Sequence, residues 1–497
     1  MKMQLFLLVM CIGFVTASAE ARPVLNATDN MLADGDVMEY GNVKSRKTKA
    51  VCDGIGKDMK KVGDKDMLDR FLNYVKIESQ SIDTPDYTTF PLSEGQKKIA
   101  RYVADEIKSF GGENVEVTLS DDAYVYVKVP SNLDSSSKKA VPSILFTAHL
   151  DVTPECEGKG IKPKVTYNYK GGDIELSPGV ALSPTSPEGS RLNSMHGKTI
   201  ITTDGTTLLG GDDKAGCTIL TTVIQNLVNN PNLKHGDVYF VYSTNEDIGC
   251  AGDRFDAREV FGVLPDIIID CDGEEPNRFS VENFTAVALN VLFDGNDRHP
   301  GNGAELKYGD ALTASSYFIG QLPPGKHPSA SRGKEGYIHC YTTTHPVDGN
   351  GKEDTEDVIV KIRLRYFDKA EGDTLRDYIH EAVEKTQVAY PFVGVVVSDE
   401  VLQYENVAYT LWKGTEELIC NAARKVGMDM QPQSVRGGTT AAMIVAAKGL
   451  NGGANIYSGQ NNSHSKKEWV CLEDMSDIVM LVHQIIDDLV SFDKYGA

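Results

Sequence analysis

Three apolar runs in this chain each stop at residues able to hold a proton or a cation, and that pattern constrains the fold more than any other. Residues 143–150, SILFTAHL, run into His149-Leu150-Asp151. Residues 238–243 lead to Asn245-Glu246-Asp247, and residues 266–269 to Asp270-Cys271-Asp272. A nearly continuous apolar run such as SILFTAHL suits a strand buried on both faces. With helical periodicity between the runs, the pattern predicts an α/β fold, a sheet flanked by helices that carries ligands at its carboxyl edge.

Between the first two runs lies TDGTTLLGGDDKAGCTI, residues 203–219, which sets two adjacent carboxylates at the mouth of a helix predicted over 214–226. Gly210 and Gly211 permit close backbone passage or positive φ. Taken alone, Asp212 reads as a helix N-cap, a role Asp favours because its carboxylate satisfies backbone N–H groups. A cation ligand is the alternative, and it needs partners elsewhere in the chain.

Upstream, Met67, Leu68, Phe71, Leu72 and Val75 share one helical face, and 94–110 forms a second amphipathic helix ending at Gly111-Gly112. Strands are predicted at 115–119 and 124–129, and residues 154–198, rich in Gly, Pro and Ser, read as a loop. From about Phe284 the pattern changes to short alternating strands (286–293, 335–341, 358–366) and helices at 308–322 and 370–386. Helices near 415–427, 439–447 and 472–492 and a strand at 454–458 then resume the helix-strand pattern that precedes residue 284. The chain of 497 residues is long enough for several domains at about 100–200 residues each. We divide it into a discontinuous α/β domain, 65–283 and 406–497, and an inserted α+β lid, 284–405.

Residues 1–19 combine Lys2, an apolar stretch over 5–15 and Ala17-Ser18-Ala19, the pattern of a cleaved secretory signal. The stretch is shorter than the roughly 20 residues a membrane span needs, so a secreted or periplasmic protein cut near Ala19 is expected. Residues 20–64 are read as an N-terminal extension. Net charge is −21, or −22 once Lys2 leaves with the signal, which disfavours nucleic acid and anionic membrane as partners. Nine cysteines without CxxC spacing imply neither a structural zinc site nor a small disulfide scaffold.

His149, Asp212, Asp247, Asp272 and His464 together offer two imidazoles and three carboxylates, the mixture of ligands that suits zinc or a similar divalent ion. Singly, each reads more simply as a packed histidine or a solvated acid.

Over about residues 66–495 the chain resembles the peptidase T family, tripeptide aminopeptidases with two co-catalytic zinc ions. The resemblance is carried by DRFLNYVKIESQS, SEGQ, HLDVTPEC, GGDIELS, GKTIITTDGTTLLGGDDKAG, NEDIG, CDG with VENF, GNDRHPG, RYFD and RGGT. It implies that His149 and Asp272 bind one metal, Asp247 and His464 the other, and that Asp212 bridges them across a cis bond to Asp213. It implies two Zn2+, with Mn2+ or Co2+ as alternatives. Glu246, beside Asp247, matches the general base that takes a proton from a shared water and passes it to the leaving amine. Asp151, two residues past His149 and so on the same face of an extended segment, matches the acid that orients a metal-bound histidine. His299 matches a lid histidine that reaches the substrate carbonyl. Arg365 and Arg436, with Asn296 as a weaker candidate, match positions expected to hold the substrate's carboxylate, a task suited to a planar bidentate donor.

The chain departs from the family pattern at Asp247, where Glu is usual, at Thr440 in place of Asp, and around His464, where SHSKKE with Lys467 replaces YHGKHE. Export also differs from the family's cytoplasmic members. The expected partners are short peptides with free termini, and a homodimer is compatible with the resemblance. Rival readings are a dipeptidase, carboxypeptidase or aminoacylase on the same scaffold, and a non-catalytic metal- or peptide-binding protein.

Overall fold

Helices Asp64–Lys76 and Glu94–Ser109 form on the apolar faces read from the sequence, burying Phe71, Tyr74, Val75, Ile99 and Val103 completely. The computed structural model describes residues 59 and 61–491, apart from 83–89, 92, 112–114, 136, 138–140 and 348–350. The signal segment and nearly all of the extension lie outside the described residues. Arg70 fastens both helices to a third, Gly211–Asn229: Nε donates to Glu106 at 2.8 Å, and the two terminal nitrogens donate to Thr222 and Gln225 at 2.7 and 2.6 Å.

These helices pack on a mixed sheet, so the predicted α/β class holds. We label its first six strands β1 (Glu116–Leu119), β2 (Val125–Val129), β3 (Ile144–His149), β4 (Val238–Ser243), β5 (Ile267–Gly273) and β6 (Arg278–Asn283). Four further strands, β7 (Thr285–Asp294), β8 (Tyr337–Thr344), β9 (Val358–Tyr366) and β10 (Gly394–Tyr404), build a separate antiparallel sheet in the order β8-β9-β7-β10. With β11 (Gln431–Val435) and β12 (Gly453–Tyr457), the large sheet runs β1-β2-β4-β3-β5-β12-β6-β11. At its centre β4, β3, β5 and β12 are parallel, so their carboxyl ends converge on one edge. All six residues of β3 and of β4 are buried, as strands covered on both faces must be.

The four-stranded sheet has its own core, in which Val287, Val291, Val360 and Leu364 pack with Phe318, Leu375 and Ile379 of helices Ala311–Gln321 and Lys369–Ala389. Where the chain crosses between the sheets, Asn283 and Asn406 stitch the two passages together. Val407 N donates to Asn283 Oδ1 at 2.9 Å, and Asn283 N donates to Asn406 Oδ1 at 3.3 Å.

The reading of 154–198 as a loop is corrected. Strand Lys164–Thr166 joins Ile200–Thr202, Trp469–Cys471 and Gln460–Asn461 in a third sheet, and Ile174–Ser177 pairs with Val180–Leu182. Three- and four-residue strands are too short to show a period, and the third sheet's C-terminal strands lie far away in sequence.

Candidate metal centre

The parallel register places the candidate ligands. Thr147 lies opposite Asp270 and His149 opposite Ser243, so His149 stands beside Asp272 at the edge, with Glu246 and Asp247 in the loop just past β4. The helix Gly211–Asn229 opens onto the same edge. Gly216 makes the approach possible, since a Cβ there would sit 2.1 Å from the carbonyl oxygen of Cys271 on β5.

The N-cap reading passes to the next residue. Asp213 Oδ1 accepts from Gly216 N at 3.0 Å and Oδ2 from His149 N at 3.2 Å, while Asp212 has non-helical backbone angles. The Asp212–Asp213 peptide bond is cis. Asp212 therefore faces the cleft with its two oxygens divided: Oδ1 is 2.8 Å from His149 Nε2 and Oδ2 is 3.4 Å from His464 Nε2. His464 Nε2 is also 2.9 Å from Asp247 Oδ1, and His149 Nε2 is 3.8 Å from Asp272 Oδ1 and 3.9 Å from Glu246 Oε2. The structure thus brings together all five candidate ligands and the candidate base. Asp212, Asp247 and His464 form one group of possible ligand atoms within 4.8 Å of one another, and His149, Glu246 and Asp272 form another.

Asp151 is fully buried behind His149, its Oδ1 3.4 Å from Nδ1 without hydrogen-bond alignment, so that contact is electrostatic. It accepts from Ser81 Oγ at 2.6 Å and from the backbone N–H groups of Glu246 and Asp247 at 3.1 and 3.2 Å. One carboxylate thereby holds the ring and the loop that carries the base.

Five carboxylates, Asp151, Asp212, Glu246, Asp247 and Asp272, share this pocket with two imidazoles. Burial pushes Glu246 up to about 8, with Asp247, Asp151 and Asp212 adding to the shift against the opposing effect of His149. Burial likewise pushes Asp247 up to about 6, His464 opposing and Asp212 adding. Asp272 is held well above the usual carboxylate range by burial and by Asp212 and Asp213. For the imidazoles burial works against the charge, yet the carboxylates prevail. Asp151 and Asp212 hold His149 well above its ordinary value, and Asp212 and Asp247 raise His464 to about 12. Asp247 Oδ2 and His149 Nδ1 are buried without a hydrogen-bond partner. Crowded carboxylates and imidazole nitrogens of this kind match a divalent-cation donor set, and the residues fit two such ions.

Sequence reasoning missed three supports. Glu468 is buried and accepts from Leu209 N, Gly210 N and Asp212 N at 2.7, 2.8 and 2.9 Å, fixing the turn that aims Asp212. Glu155 Oε2 lies 3.1 Å from His464 Nδ1. Gln460 Nε2 donates to Asp272 Oδ1 at 3.0 Å. Glu155 and Glu468 sit inside recognisable motifs, but no spacing distinguishes them from solvated acids.

Among the described residues, the candidate substrate residues make no hydrogen bond or ion pair to the side chains of the cluster. His299 is exposed in the segment after β7, its Nδ1 accepting from Gly301 N, and Asn296 donates to Lys307 O at 3.0 Å. Arg365 donates to Leu364 O and Gln403 Oε1 at 2.9 and 3.1 Å. Arg436 donates to Gly333 O at 2.6 Å and Ser331 Oγ at 2.9 Å. Among the described residues neither arginine is in a salt bridge. Cys156, Cys217, Cys271, Cys340, Cys420 and Cys471 are free thiols.

Residues 204–488 match the family described as Peptidase family M20/M25/M40. The chain is 33% identical over 425 residues to a peptidase T of Clostridium perfringens, covering 85% of this chain and 98% of that one. Its fold is similar to that of the aminopeptidase PepT of Bacillus cereus, with TM-score 0.64 at 20% identity over 86% of this chain and 99% of that one. A tripeptidase of Staphylococcus aureus gives 0.63 at 17% identity, over 87% of this chain and 100% of that one. A dinuclear metal-binding M20 peptidase of Bacillus subtilis gives 0.55 at 12%, over 86% and 98%.

Proposed function

Because the chain belongs to peptidase family M20/M25/M40, in its peptidase T branch, we propose that it removes the N-terminal residue from short peptides, tripeptides foremost. We assign it two zinc ions, with manganese or cobalt as substitutes, and a place of action outside the cytoplasm. The observation that carries this reading is the Asp212 carboxylate, one oxygen toward His149 and the other toward His464. His149 and Asp272 would hold one ion, Asp247 and His464 the other, with Asp212 shared.

When bound, such ions polarise the scissile carbonyl and make water nucleophilic at neutral pH. Glu246 then accepts the attacking water's proton and returns it to the departing amine. Its place beside the cluster without being needed as a ligand supports that role. Asp151 keeps the ring of His149 aimed and steadies the Glu246 loop. His299 is assigned to the substrate carbonyl, and Arg365, Arg436 and Asn296 to the terminal carboxylate. The absence of a salt bridge at either arginine, among the described residues, supports this assignment. The signal-like segment at residues 1–19 supports export. The test is cleavage of the tripeptide Leu-Gly-Gly by the purified chain with and without a chelator. We expect leucine and diglycine, loss of activity on chelation and recovery on adding zinc. Chelator-resistant cleavage, or release from the carboxyl end, would overturn the reading.

A further inference from the structure

The segment 149–155 leaves the edge of β3 and supplies more than a ligand. It carries His149, then Asp151 behind the ring of His149, then Glu155 behind the ring of His464. Each imidazole turns Nε2 toward Asp212 and Nδ1 toward a carboxylate of this one segment. Its course is pinned from 79–81. Ser79 Oγ donates to Leu150 O at 2.7 Å, Ser81 Oγ to Asp151 Oδ2 at 2.6 Å, and Gln80 Nε2 to Thr153 O and Cys156 O at 2.9 and 2.6 Å. Gln80 thus grips the backbone on both sides of Glu155.

We propose that Glu155 is the positioning residue of His464, and that the metal position built from Asp212, Asp247 and His464 is the weaker and more exchangeable of the two. The inference rests on the two-metal reading above. A ligating histidine commonly donates its other ring N–H to a carboxylate, which fixes the tautomer and raises ligand basicity. With Nε2 2.9 Å from Asp247 Oδ1, the Nδ1–H of His464 points to Glu155 at 3.1 Å.

The two pairs differ in surroundings. The side chains of His149 and Asp151 are 0% exposed, whereas those of His464 and Glu155 are 36% and 43% exposed. Water competes for the exposed hydrogen bond and screens its charge. Asp151 is tied by three further donors, while Glu155 depends on the Gln80 clamp. His464 also stands on a short loop rather than at a strand end. That loop is held by Ser463, whose N and Oγ donate to Glu274 at 2.7 and 2.6 Å.

The test is zinc binding, not turnover. Full-length protein stripped of metal is titrated with Zn2+ against a chromophoric chelator of known affinity, for wild type, Glu155→Ala and Glu155→Gln. Wild type should bind two ions with unequal affinity. Glu155→Ala should weaken the looser position by about 10- to 100-fold, the usual effect of removing a ligating histidine's outer partner, and leave the tighter one within about twofold. Glu155→Gln keeps an acceptor and should recover part of the loss. Unchanged binding, equal losses at both positions, or no recovery with Gln would overturn the proposal. Failure of wild type to bind two ions would instead sink the two-metal reading.

Discussion

Replacing Asp151 by Asn should damage stability and chemistry together, and the hydrogen bonds allow the effect to be sized. Asp151 Oδ2 accepts from Ser81 Oγ and Asp247 N, and Oδ1 accepts from Glu246 N and faces His149 Nδ1. Burial alone would raise this carboxyl, but His149, Ser81 and the Glu246 N–H outweigh it and hold the group below its usual range. Asp151 is therefore ionised at any working pH. An amide nitrogen at the Oδ2 position lets Ser81 turn and accept, but it leaves the Asp247 N–H facing another donor. The loss is one charge-assisted hydrogen bond, about 1.5–3 kcal/mol, plus one buried donor without a partner, about 1–3 kcal/mol. Taking the lower ends gives about 2.5 kcal/mol. At about 2.1 cal/mol/K per residue, a domain of about 300 residues shifts by about 1.5 °C per kcal/mol, so Tm should fall by about 4 °C. The melt is run on metal-free protein, so that lost metal affinity does not enter the shift. On zinc-loaded protein, kcat/KM for trialanine should fall by about 10- to 100-fold. A Tm within about 1 °C of wild type, with kcat/KM within about twofold, would refute the positioning argument.

Asp212→Ala should lose both ions rather than one, because the same carboxylate faces both imidazoles; metal analysis of the purified variant decides it, and two retained ions would show that Asp212 is no bridge. Glu246→Gln should keep both ions while kcat drops by about 10² to 10⁴ and KM stays near wild type; steady-state kinetics beside metal analysis would expose an idle Glu246 as near-normal turnover. Amidation of trialanine should lower kcat/KM at least about tenfold if Arg365 and Arg436 hold the carboxylate, since a charge-assisted contact contributes about 1.5–3 kcal/mol. Equal rates on the amide would remove both arginines from substrate recognition.

The legible parts of this molecule are those whose physics is local. Helices 64–76 and 94–109 announce themselves by one apolar face each, and β3 and β4 by runs with no polar interruption. The strands that escape a reading of the sequence do so for specific reasons. β10 pairs with β7 through two register shifts and carries Asp399 at φ 52°, so its alternation breaks twice. β11 contains Pro432, which argues against a strand unless it lies at an edge, and β11 ends the sheet. At the site, ligand types are readable because few residues bind cations. Their supports are not, because an exposed glutamate such as Glu155 looks the same in sequence whether it orients a ring or meets only water.

The least legible region also governs the spacing of the centre. Strand Ile200–Thr202 leads into the turn that carries Asp212, while Gln460–Asn461 and Trp469–Cys471 flank the loop that carries His464. These strands pair with one another: Trp469 stands opposite Thr202 on one side and Asn461 on the other. Asp212 and the more exposed histidine therefore hang from a single small sheet, and Glu468, one residue before Trp469, clasps the backbone of Asp212 itself. His149 and Asp272, by contrast, hang from adjacent strands of the large sheet, and Asp247 from the loop after β4. The separation of the two candidate metal positions is then set by how the small sheet docks on the large one. That docking is buried and apolar, with Val470 and Ile201 in the same core as Leu209 and Met475. Across that arrangement the Asp247 carboxylate, carried by the large sheet, comes within 2.9 Å of His464 Nε2, carried by the small one.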